Sequence, residues 1–424
     1  MRFCFITIGT AGDVHPFIGV GLALRRRGHE VVVITNPYFC ERIERVGLKF
    51  HPLGTEDGYR ALVTSPHLVH RSRGPLFVLR NLVIPAIDPT VQALNHLNRT
   101  FKPDAVFAHH IVLAAPHACE KLGIPCATGV LAPLFWLSRQ EPVLYKHLPI
   151  EHVPRWMDST LRKVMRPIAR WAIDRPINRA KRASGLPGVR NIVYTEARGL
   201  TPRRLVLGLW SPHYRPPLSD DPETGRICGF SWFDRANVVH KPDESDLDRW
   251  LNDGKPPIIF TLGTSVVHHG QDLFEIAAQA SSRLGRRALL LTGSRETAAR
   301  AWPTGIHALA YAPFSRVLAA GALTVHHAGA GTMAQAMRAG KPSVIVPFAN
   351  DEFDNAARAK RIGVAVTVPR HKLTVKLMCE TLDSALTDVQ LRARSALLGA
   401  KLVTEDGAEI AATELESLPL RRGR

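Results

Sequence analysis

The sequence has no long hydrophobic run, which excludes a protein with membrane-spanning helices. Its apolar stretches are interrupted by Gly, Pro or charge well before the roughly 20 residues that a membrane-spanning helix needs. The apolar start, Met1–Ile8, is followed at once by the turn Gly9–Asp13. That arrangement favours a first core strand over a signal peptide.

Cysteine is also scarce, with six residues and no CxxC pair. Scattered cysteines are typical of buried thiols in a reducing compartment, and they argue against disulfides or a zinc site. We therefore expect a cytoplasmic protein. The sequence also has no His/Cys cluster with zinc-site spacing, so we expect neither a metal ion nor a bound cofactor. The six cysteines are Cys4, Cys40, Cys119, Cys126, Cys228 and Cys379.

Acidic residues are outnumbered, with 37 Asp and Glu against 55 Lys and Arg and a net charge of +18. A solvated basic surface explains most of this excess, and the alternative is attraction to an anionic partner, such as a nucleotide or an anionic membrane face. No recognition-helix or zinc-finger motif is present, so nucleic acid is not expected as a partner. The densest basic region, Arg155–Arg182, has amphipathic character. It either packs on the core or contacts a membrane surface from the cytoplasmic side.

The order of predicted elements indicates a two-domain α/β protein. At 424 residues, the chain exceeds what one hydrophobic core usually serves. Strand and helix patterns alternate from Phe3 onward, which predicts βαβ units and a parallel sheet, whereas residues 54–80 lack a clear period and are predicted to be a loop-rich insertion. The predicted strands of this first series are Phe3–Ile8, Glu30–Thr35, 103–108 and Ile124–Gly129, and its helices are Phe17–Arg27, Pro37–Val46 and Ala114–Leu122.

A second series follows the proline-rich segment Ser211–Thr224, which is typical of a linker. We predict domains at residues 1–215 and 216–395, with residues 396–424 forming a C-terminal helix and basic tail that pack back on the first domain. Ligands of such doubly wound sheets bind beyond the carboxyl ends of the strands, so two facing halves predict an interdomain cleft. A turn is predicted at residues 263–265, and the strands of the second series are Pro256–Leu262, Ala288–Thr292, Ile306–Ala308, Leu323–Val325, Val344–Val346 and Val364–Val368.

The stretch from His326 to Asn355 carries the strongest chemical signal. It contains a glycine-rich turn between a strand and a helix that Thr332 can cap. The free amides of such a helix start favour a phosphate. Asp351 and Glu352 follow the next strand, at the same edge of the sheet, and are suited to holding hydroxyl groups. A phosphate cradle beside hydroxyl-binding acids predicts a nucleotide sugar as ligand.

Taken with the segments Gly9–His29, Phe260–Ser265 and Tyr311–Gly363, this stretch resembles the GT-B glycosyltransferases of the UDP-glycosyltransferase superfamily. The resemblance is strongest to bacterial natural-product enzymes and to the rhamnosyltransferase of rhamnolipid synthesis. It implies two facing Rossmann-like domains and an inverting transfer of a hexose or deoxyhexose from a UDP or dTDP donor. It also implies a lipophilic acceptor, metal independence and a monomer or weak dimer.

The resemblance implies roles for individual residues of the donor site. His327 and Thr332 would contact the pyrophosphate, and Asp351 the sugar. In place of the family's glutamine the chain has Glu352, which accepts hydrogen bonds without donating them when ionised. This departure leaves the sugar open and disfavours a uronate. The remaining donor residues are Gly12, Thr264, Ser265, Tyr311, Ala312, Gly329 and Gly331.

For the catalytic base, the resemblance points to Asp13, where many eukaryotic relatives have a histidine. Two alternatives stay open: Asp13 as a helix cap, and His15 as the base. His109 stands near the place of the aspartate that orients the family's histidine. We hypothesise that Asp13 and His109 form the same pair with exchanged positions, although His109 as a simple strand-end residue is an equal alternative.

Two rival functions follow from the same fold. One is a nucleotide-sugar epimerase, and the other is a non-catalytic homologue that serves as a partner subunit.

A lipophilic acceptor is favoured by the apolar loops at residues 131–150, although ordinary packing on the sheet would explain them equally well.

Overall fold

The structure is a computed structural model that describes residues 1–70, 72–138, 140–141, 167, 170–190, 204–233 and 244–419, with only the backbone for 244, 245 and 265. Its strands are β1 (Arg2–Ile6), β2 (Glu30–Thr35), β3 (Lys49–Pro52), β4 (Ala105–His109), β5 (Cys126–Val130), β6 (Val206–Gly208), β7 (Gly225–Ile227), β8 (Ile258–Thr261), β9 (Ala288–Leu291), β10 (Ile306–Leu309), β11 (Leu323–His326), β12 (Ser343–Ile345) and β13 (Ala365–Thr367).

The α-helices lie between these strands and after the last one. They are α1 (Ala11–Arg26), α2 (Cys40–Arg45), α3 (Glu56–Thr64), α4 (Gly74–Val78), α5 (Ile87–Thr100), α6 (Ala115–Leu122), α7 (Arg175–Ala183), α8 (Glu244–Asn252), α9 (Gly263–Val266), α10 (Gln271–Arg283), α11 (Arg295–Ala298), α12 (Phe314–Ala320), α13 (Ala330–Arg338), α14 (Glu352–Arg361), α15 (Val375–Thr387), α16 (Val389–Val403) and α17 (Gly407–Glu416).

The described strands form two parallel sheets, as their alternation with helices predicts. The first sheet has the order β3-β2-β1-β4-β5-β6-β7, and the second has the order β10-β9-β8-β11-β12-β13. All strands run parallel, but successive strands are added towards one edge of the sheet up to β3 and towards the other edge from β4 onward. The order reverses in the same way between β8 and β11 in the second sheet. Connections diverge at such points and open a crevice at the carboxyl ends of the strands. The prediction of two doubly wound halves is confirmed.

Aromatic packing fixes the helix that carries the first catalytic candidate. Phe17 of α1 stacks on Phe107 of β4 with ring centroids 4.7 Å apart, and Phe5 of β1 meets Phe107 edge-on at 5.2 Å. Gly129 on β5 leaves room for both rings, because a Cβ there would lie 2.6 Å from Phe107 and 2.9 Å from Phe17. The start of α1 is thereby held at the crevice of the first sheet.

Two segments differ from the sequence prediction. Within residues 54–80, predicted to be a loop-rich insertion, the chain forms α3 and α4. Thr55 begins α3, and its Oγ1 accepts a hydrogen bond from the Gly58 N–H at 3.2 Å. Short helices of this kind offer too few turns for a clear period. Residues 263–265, predicted to be a turn, form the start of α9.

The proline-rich segment Ser211–Thr224 does not join the two sheets. It connects β6 to β7, which are neighbours in the first sheet. The chain reaches the second sheet only between Ile227 and Ile258. We therefore propose a domain boundary beyond Ile227 in place of the predicted one at residue 215.

The chain crosses between the sheets twice, and the two crossings touch each other. The N–H of Gly407 donates to the carbonyl of Phe230 at 3.2 Å, and the Trp232 indole N–H donates to the carbonyl of Glu405 at 3.0 Å. A Cβ on Gly407 would lie 2.3 Å from the carbonyl carbon of Gly229. The glycine is what allows this close approach.

After the second crossing, α17 packs along α1 of the first domain. Arg27 forms ion pairs with Glu409 at 2.8 Å and Glu416 at 2.6 Å, and His29 Nε2 lies 2.7 Å from Glu416. The predicted basic tail, Arg421–Arg424, lies outside the described residues. Among the described helices, none is both long and apolar enough to cross a membrane.

Candidate active site

A cleft of about 770 Å³ lies between the carboxyl ends of the two sheets. Gly12 at the start of α1 lines one wall, and Thr264, Tyr311 and Thr332 line the other. The two helix starts approach closely, since a Cβ on Gly331 would lie 3.8 Å from the Cα of Gly12. Sequence elements more than 300 residues apart therefore meet at one place.

His327 and its two glycine neighbours form the floor of the second wall. The imidazole is 2% exposed, and burial lowers the pKa of His327 to about 3, so the ring is neutral. A Cβ on Gly263 would lie 2.6 Å from His327 Cε1 and 3.0 Å from Thr332 Oγ1. A Cβ on Gly329 would lie 2.3 Å from His327 Nε2. Both glycines therefore let the backbone lie against the histidine.

The turn between β11 and α13 passes through Ala328 with φ +74°, a conformation that costs free energy for a residue with a Cβ. Two side chains hold it. The Ala328 N–H donates to His326 Nδ1 at 3.1 Å, and Asn355 Nδ2 donates to the Ala328 carbonyl at 3.0 Å. His326 thus supports the turn from within the protein, while its neighbour His327 belongs to the other face.

Asn355 also orients the acidic loop at the start of α14. Its Nδ2 donates to Asp351 Oδ2 at 2.9 Å, and its Oδ1 accepts from the Tyr214 hydroxyl at 3.2 Å. Burial raises the pKa of Asp351 to about 6. One amide therefore fixes both the strained turn and the carboxylate predicted to hold the sugar.

The structure turns Glu352 into the loop that carries it. Its Oε2 accepts from the N–H groups of Phe348 at 2.7 Å and Ala349 at 3.0 Å, and the residue is 4% exposed. Burial raises the pKa of Glu352 to about 8. This carboxyl group closes the turn before α14, so we assign it to shaping the loop, in place of the predicted contact with the sugar.

Asp13 lies in the first turn of α1, beside the cleft. Its Oδ2 accepts hydrogen bonds from the Thr10 N–H at 2.7 Å and the Thr10 hydroxyl at 3.1 Å. Burial, with a smaller contribution from the nearby Asp351 carboxylate, raises the pKa of Asp13 to about 7, against the opposing effect of the Thr10 hydrogen bonds. Asp13 is therefore a helix cap and also a carboxylate poised near neutral pH.

His109 faces the other oxygen of Asp13 at the end of β4. Its Nε2 lies 3.9 Å from Asp13 Oδ1, which is close but beyond hydrogen-bond length. Its Nδ1 lies 3.3 Å from the carbonyl of Ile8, so the proton belongs on Nδ1 and Nε2 presents its lone pair to Asp13. Burial lowers the pKa of His109 to about 3. The ring is neutral, and no imidazolium offsets the burial of Asp13.

Within the described part of the chain, no group of three or more His, Cys, Asp or Glu side chains is arranged to hold a metal ion. The backbone amides at the start of α13 lie next to the neutral His327.

Comparison with known proteins agrees with this geometry. Residues 3–138 match the glycosyltransferase family 28 N-terminal domain, and residues 288–418 match the erythromycin biosynthesis protein CIII-like C-terminal domain. The O-mycaminosyltylonolide 6-deoxyallosyltransferase of Streptomyces fradiae is 30% identical to this chain, over 98% of the chain and 97% of the relative. This chain belongs to the UDP-glycosyltransferase superfamily.

The glycosyltransferase is also similar to more distant proteins. The sterol 3-beta-glucosyltransferase UGT80B1 of Arabidopsis thaliana is 24% identical over 97% of this chain and 67% of the relative. The solved glycotransferase of kitacinnamycin superposes with a TM-score of 0.74 at 17% identity, covering 99% of each chain. This likeness confirms the predicted GT-B fold.

The remaining predicted donor residues occupy different positions in this glycosyltransferase. Thr264 and Tyr311 line the cleft, whereas Ala312 is 1% exposed and packs in the core beneath it. Ser265 lies in α9, and its side chain is outside the described residues. Gln335, one helical turn after Thr332, also lines the cleft and was missed, although its spacing on α13 was available in the sequence.

The opposite end of the cleft is aromatic, which the sequence did not predict. Tyr38 and Tyr59 stack with ring centroids 4.6 Å apart, and Phe233 meets His15 edge-on at 5.0 Å. His15 Nε2 lies 3.0 Å from the Arg42 guanidinium, so its lone pair already accepts a hydrogen bond. This contact makes His15 less suited than Asp13 to act as the base.

Proposed function

We propose that this enzyme transfers a hexose or deoxyhexose from a UDP- or dTDP-sugar to a hydroxyl of a lipophilic acceptor, with inversion at the anomeric carbon. The observation that carries the proposal is that the start of α1, which bears Asp13, approaches the glycine turn before α13 across one cleft, where a Cβ on Gly331 would lie 3.8 Å from the Cα of Gly12. A carboxylate on one wall and free helix amides on the other match the two charges that develop during sugar transfer.

The donor half of the site is assigned to the second domain. The amides of Gly331 and Thr332 lie in the first turn of α13, where the helix dipole favours an anion, whereas the Met333 N–H donates to the Gly329 carbonyl at 2.9 Å. The neutral His327 adds a hydrogen-bonding group without competing for the charge. Tyr311 offers a ring face for the nucleobase.

The reaction is a single displacement. The acceptor oxygen forms a bond to the anomeric carbon while the bond from that carbon to the diphosphate oxygen breaks. Asp13 takes the hydroxyl proton, and the bonding electrons leave with the diphosphate, which the α13 amides stabilise. With a pKa near 7, the carboxylate is basic enough to accept the proton and is still largely ionised at slightly alkaline pH.

His109 has the role of a positioning residue in this proposal. Once Asp13 carries the proton, its carboxylic acid is able to donate to the lone pair of His109 Nε2, after a shift of less than 1 Å from the present 3.9 Å. The pair resembles the family's acid–imidazole pair with the two members exchanged. The hydrogen bond from Nδ1 to Ile8 keeps the ring in the tautomer that this step requires.

The acceptor half is assigned to the aromatic end of the cleft. Tyr38, Tyr59, Val63 and Phe233 line it and offer an apolar surface with few charges. Such a lining favours a ring system or a lipid chain over a polar sugar acceptor. The names of the macrolide and sterol relatives agree with a lipophilic acceptor.

The test begins with a panel of UDP- and dTDP-sugars in a thermal-shift assay, followed by mass spectrometry of products from lipid and aglycone mixtures. The anomeric configuration of the product, read by NMR coupling constants, decides between inversion and retention. Asp13→Asn keeps an oxygen for the Thr10 hydrogen bonds, and we expect kcat to fall about 10²- to 10⁴-fold. Unchanged turnover would remove Asp13 from the mechanism, and conversion of the nucleotide sugar without any acceptor would favour an epimerase.

A further inference from the structure

Five arginines surround one concave surface that is separate from the active-site cleft. It lies on the helix α7, on the preceding turn Arg170–Asp174 and on the loop that follows the helix, and we call it the arginine basin. The basin contains one acidic residue, Asp174, which is 6% exposed. Its arginines are Arg170, Arg175, Arg179, Arg182 and Arg190.

The inner side of α7 is committed to the fold. Ile177 packs in the core beneath the first sheet. Lys181 is fully buried, with Nζ 3.0 Å from His117 Nδ1 and donating to the Leu113 carbonyl at 3.3 Å. These anchors fix the rotation of the helix, so the arginines spaced by three and four residues share its outer side.

A second anchor holds the rim of the basin in place. The Asn178 side chain donates to the Val189 carbonyl at 2.7 Å and accepts from the Val189 N–H at 2.8 Å. This amide pair ties the loop at residues 188–190 to α7. The concave shape is therefore built by specific contacts and does not depend on the arginine side chains.

Four of the five basin arginines have no ion-paired counter-charge among the described residues. Arg170, Arg175, Arg179 and Arg182 are exposed, and none of them forms an ion pair with any carboxylate in the described ranges. Four guanidinium groups gathered around the single carboxylate of Asp174 repel one another, and a polyvalent anion or several anions relieve this repulsion. Phosphate groups suit the planar, bidentate donors of arginine.

An exposed tryptophan beside the basin narrows the identity of the anion. Trp171 follows Arg170 directly and is 66% exposed, among the most exposed large apolar side chains of the described chain. Tryptophan next to cationic residues is typical of surfaces that rest at the headgroup level of a bilayer. A single tryptophan beside a compact basin fits a lipid surface better than it fits a nucleic-acid groove, which would need several stacking rings.

We propose that the arginine basin and Trp171 form a docking site for a membrane surface that contains anionic phospholipids. The guanidinium groups bind lipid phosphates, and the indole enters the headgroup layer. The proposal does not depend on the identity of the sugar donor or acceptor. If the acceptor is lipophilic, docking places the enzyme where that acceptor concentrates.

The experiment is co-sedimentation of the full-length protein with vesicles. One set contains phosphatidylcholine alone, and the other replaces roughly a third of it with phosphatidylglycerol. We expect binding to the anionic vesicles only, weakened by added salt because the charges are exposed. The variant Arg175→Ala/Arg179→Ala/Arg182→Ala should lower the partition coefficient about a hundredfold.

A matched control removes three cations from another exposed surface, with the variant Arg392→Ala/Arg394→Ala/Lys401→Ala on α16. It should keep most of the binding, and both triple variants should keep wild-type turnover of a soluble acceptor, which shows that they are folded. Trp171→Ala should weaken binding and abolish the blue shift of tryptophan fluorescence attributable to that residue.

Three results would overturn the proposal. The first is equal binding to both vesicle types, or none to either. The second is an equal loss of binding in the two triple variants, which would assign the effect to overall charge. The third is full competition by inorganic phosphate or by single-stranded RNA at constant ionic strength, which would show that the basin serves a soluble anion instead.

Discussion

We expect kcat/KM to fall on the acid side (the acid limb) of its pH profile with a midpoint near pH 7, about three units above the ordinary pKa of an aspartate. The physical cause is the burial of Asp13 between the two domains, increased by the carboxylate of Asp351. A base must be ionised to accept the acceptor's proton. At pH 6, one unit below the pKa, about a tenth of the enzyme is competent, so kcat/KM should be about a tenth of its plateau.

Two substitutions should move this limb in opposite directions. Asp351→Asn removes a negative charge and should lower the pKa of Asp13, although donor binding also weakens. Thr10→Val removes the hydroxyl that donates to Asp13 Oδ2 at 3.1 Å. A hydrogen bond of about 1 kcal/mol corresponds to roughly 0.7 of a pKa unit, so the limb should rise by about that amount.

The assay is initial product formation at low donor and acceptor concentrations across a pH series, with circular dichroism at each pH to verify folding. A wild-type limb below about pH 5 would refute the reasoning, because it would mean that the base is well solvated or is another group. Shifts of both variants in the same direction would also refute it, since the two changes affect the charged form with opposite sign.

Three further predictions concern the residues that hold the site together. Asn355→Ala removes three hydrogen bonds and should lower the free energy of unfolding, measured in urea, by about 2–3 kcal/mol. It should also raise the KM for the donor, and an unchanged KM would contradict the role of Asn355 in the loop. The pKa of Glu352 is raised in the folded state, so its stabilising contribution is complete at low pH and is lost as pH rises through about 8. The variant Glu352→Gln should not show that loss, so its free energy of unfolding at pH 9 should exceed that of the wild type by up to a few kcal/mol. Parallel pH profiles of stability for the two proteins would contradict this prediction. Arg215→Met removes the ion-pair partner of the Asp221 carboxylate, which is 12% exposed, and should lower the free energy of unfolding by about 3–5 kcal/mol, whereas Arg226→Met at an exposed position should change it by no more than about 0.5 kcal/mol. Equal unfolding midpoints of the two variants would contradict this prediction.

The alternation of strands and helices was sufficient to predict both sheets, because buried parallel strands are continuous apolar runs. The short outer strands β3, β6 and β7 were missed. β3 contains His51 and Pro52, and β7 has only three residues, so neither presents an apolar run. Ser211–Thr224 was assigned to the wrong connection, because proline marks a loop without indicating what the loop joins.

For the site, local motifs were more informative than single residues. The glycine turn was placed correctly beside the cleft, since glycines at positions 329 and 331 imply close approach whatever lies above them. The orientation of Glu352 could not be read from the sequence, because a carboxylate in the first helical turn faces either a ligand or its own loop. The Tyr38–Tyr59 stack joins two segments whose contact depends on tertiary packing.

The doubled crossing between the domains has a mechanical consequence. A single linker acts as a swivel, free to twist as well as bend. Two chain segments that contact each other at Gly229 and Gly407 act as a hinge with one axis, which allows bending about that axis and resists twisting. Any opening or closing of the cleft would then carry Asp13 along one arc relative to the glycine turn before α13. Removing α17 would leave both sheets and every proposed catalytic group in place, yet turn the hinge back into a swivel.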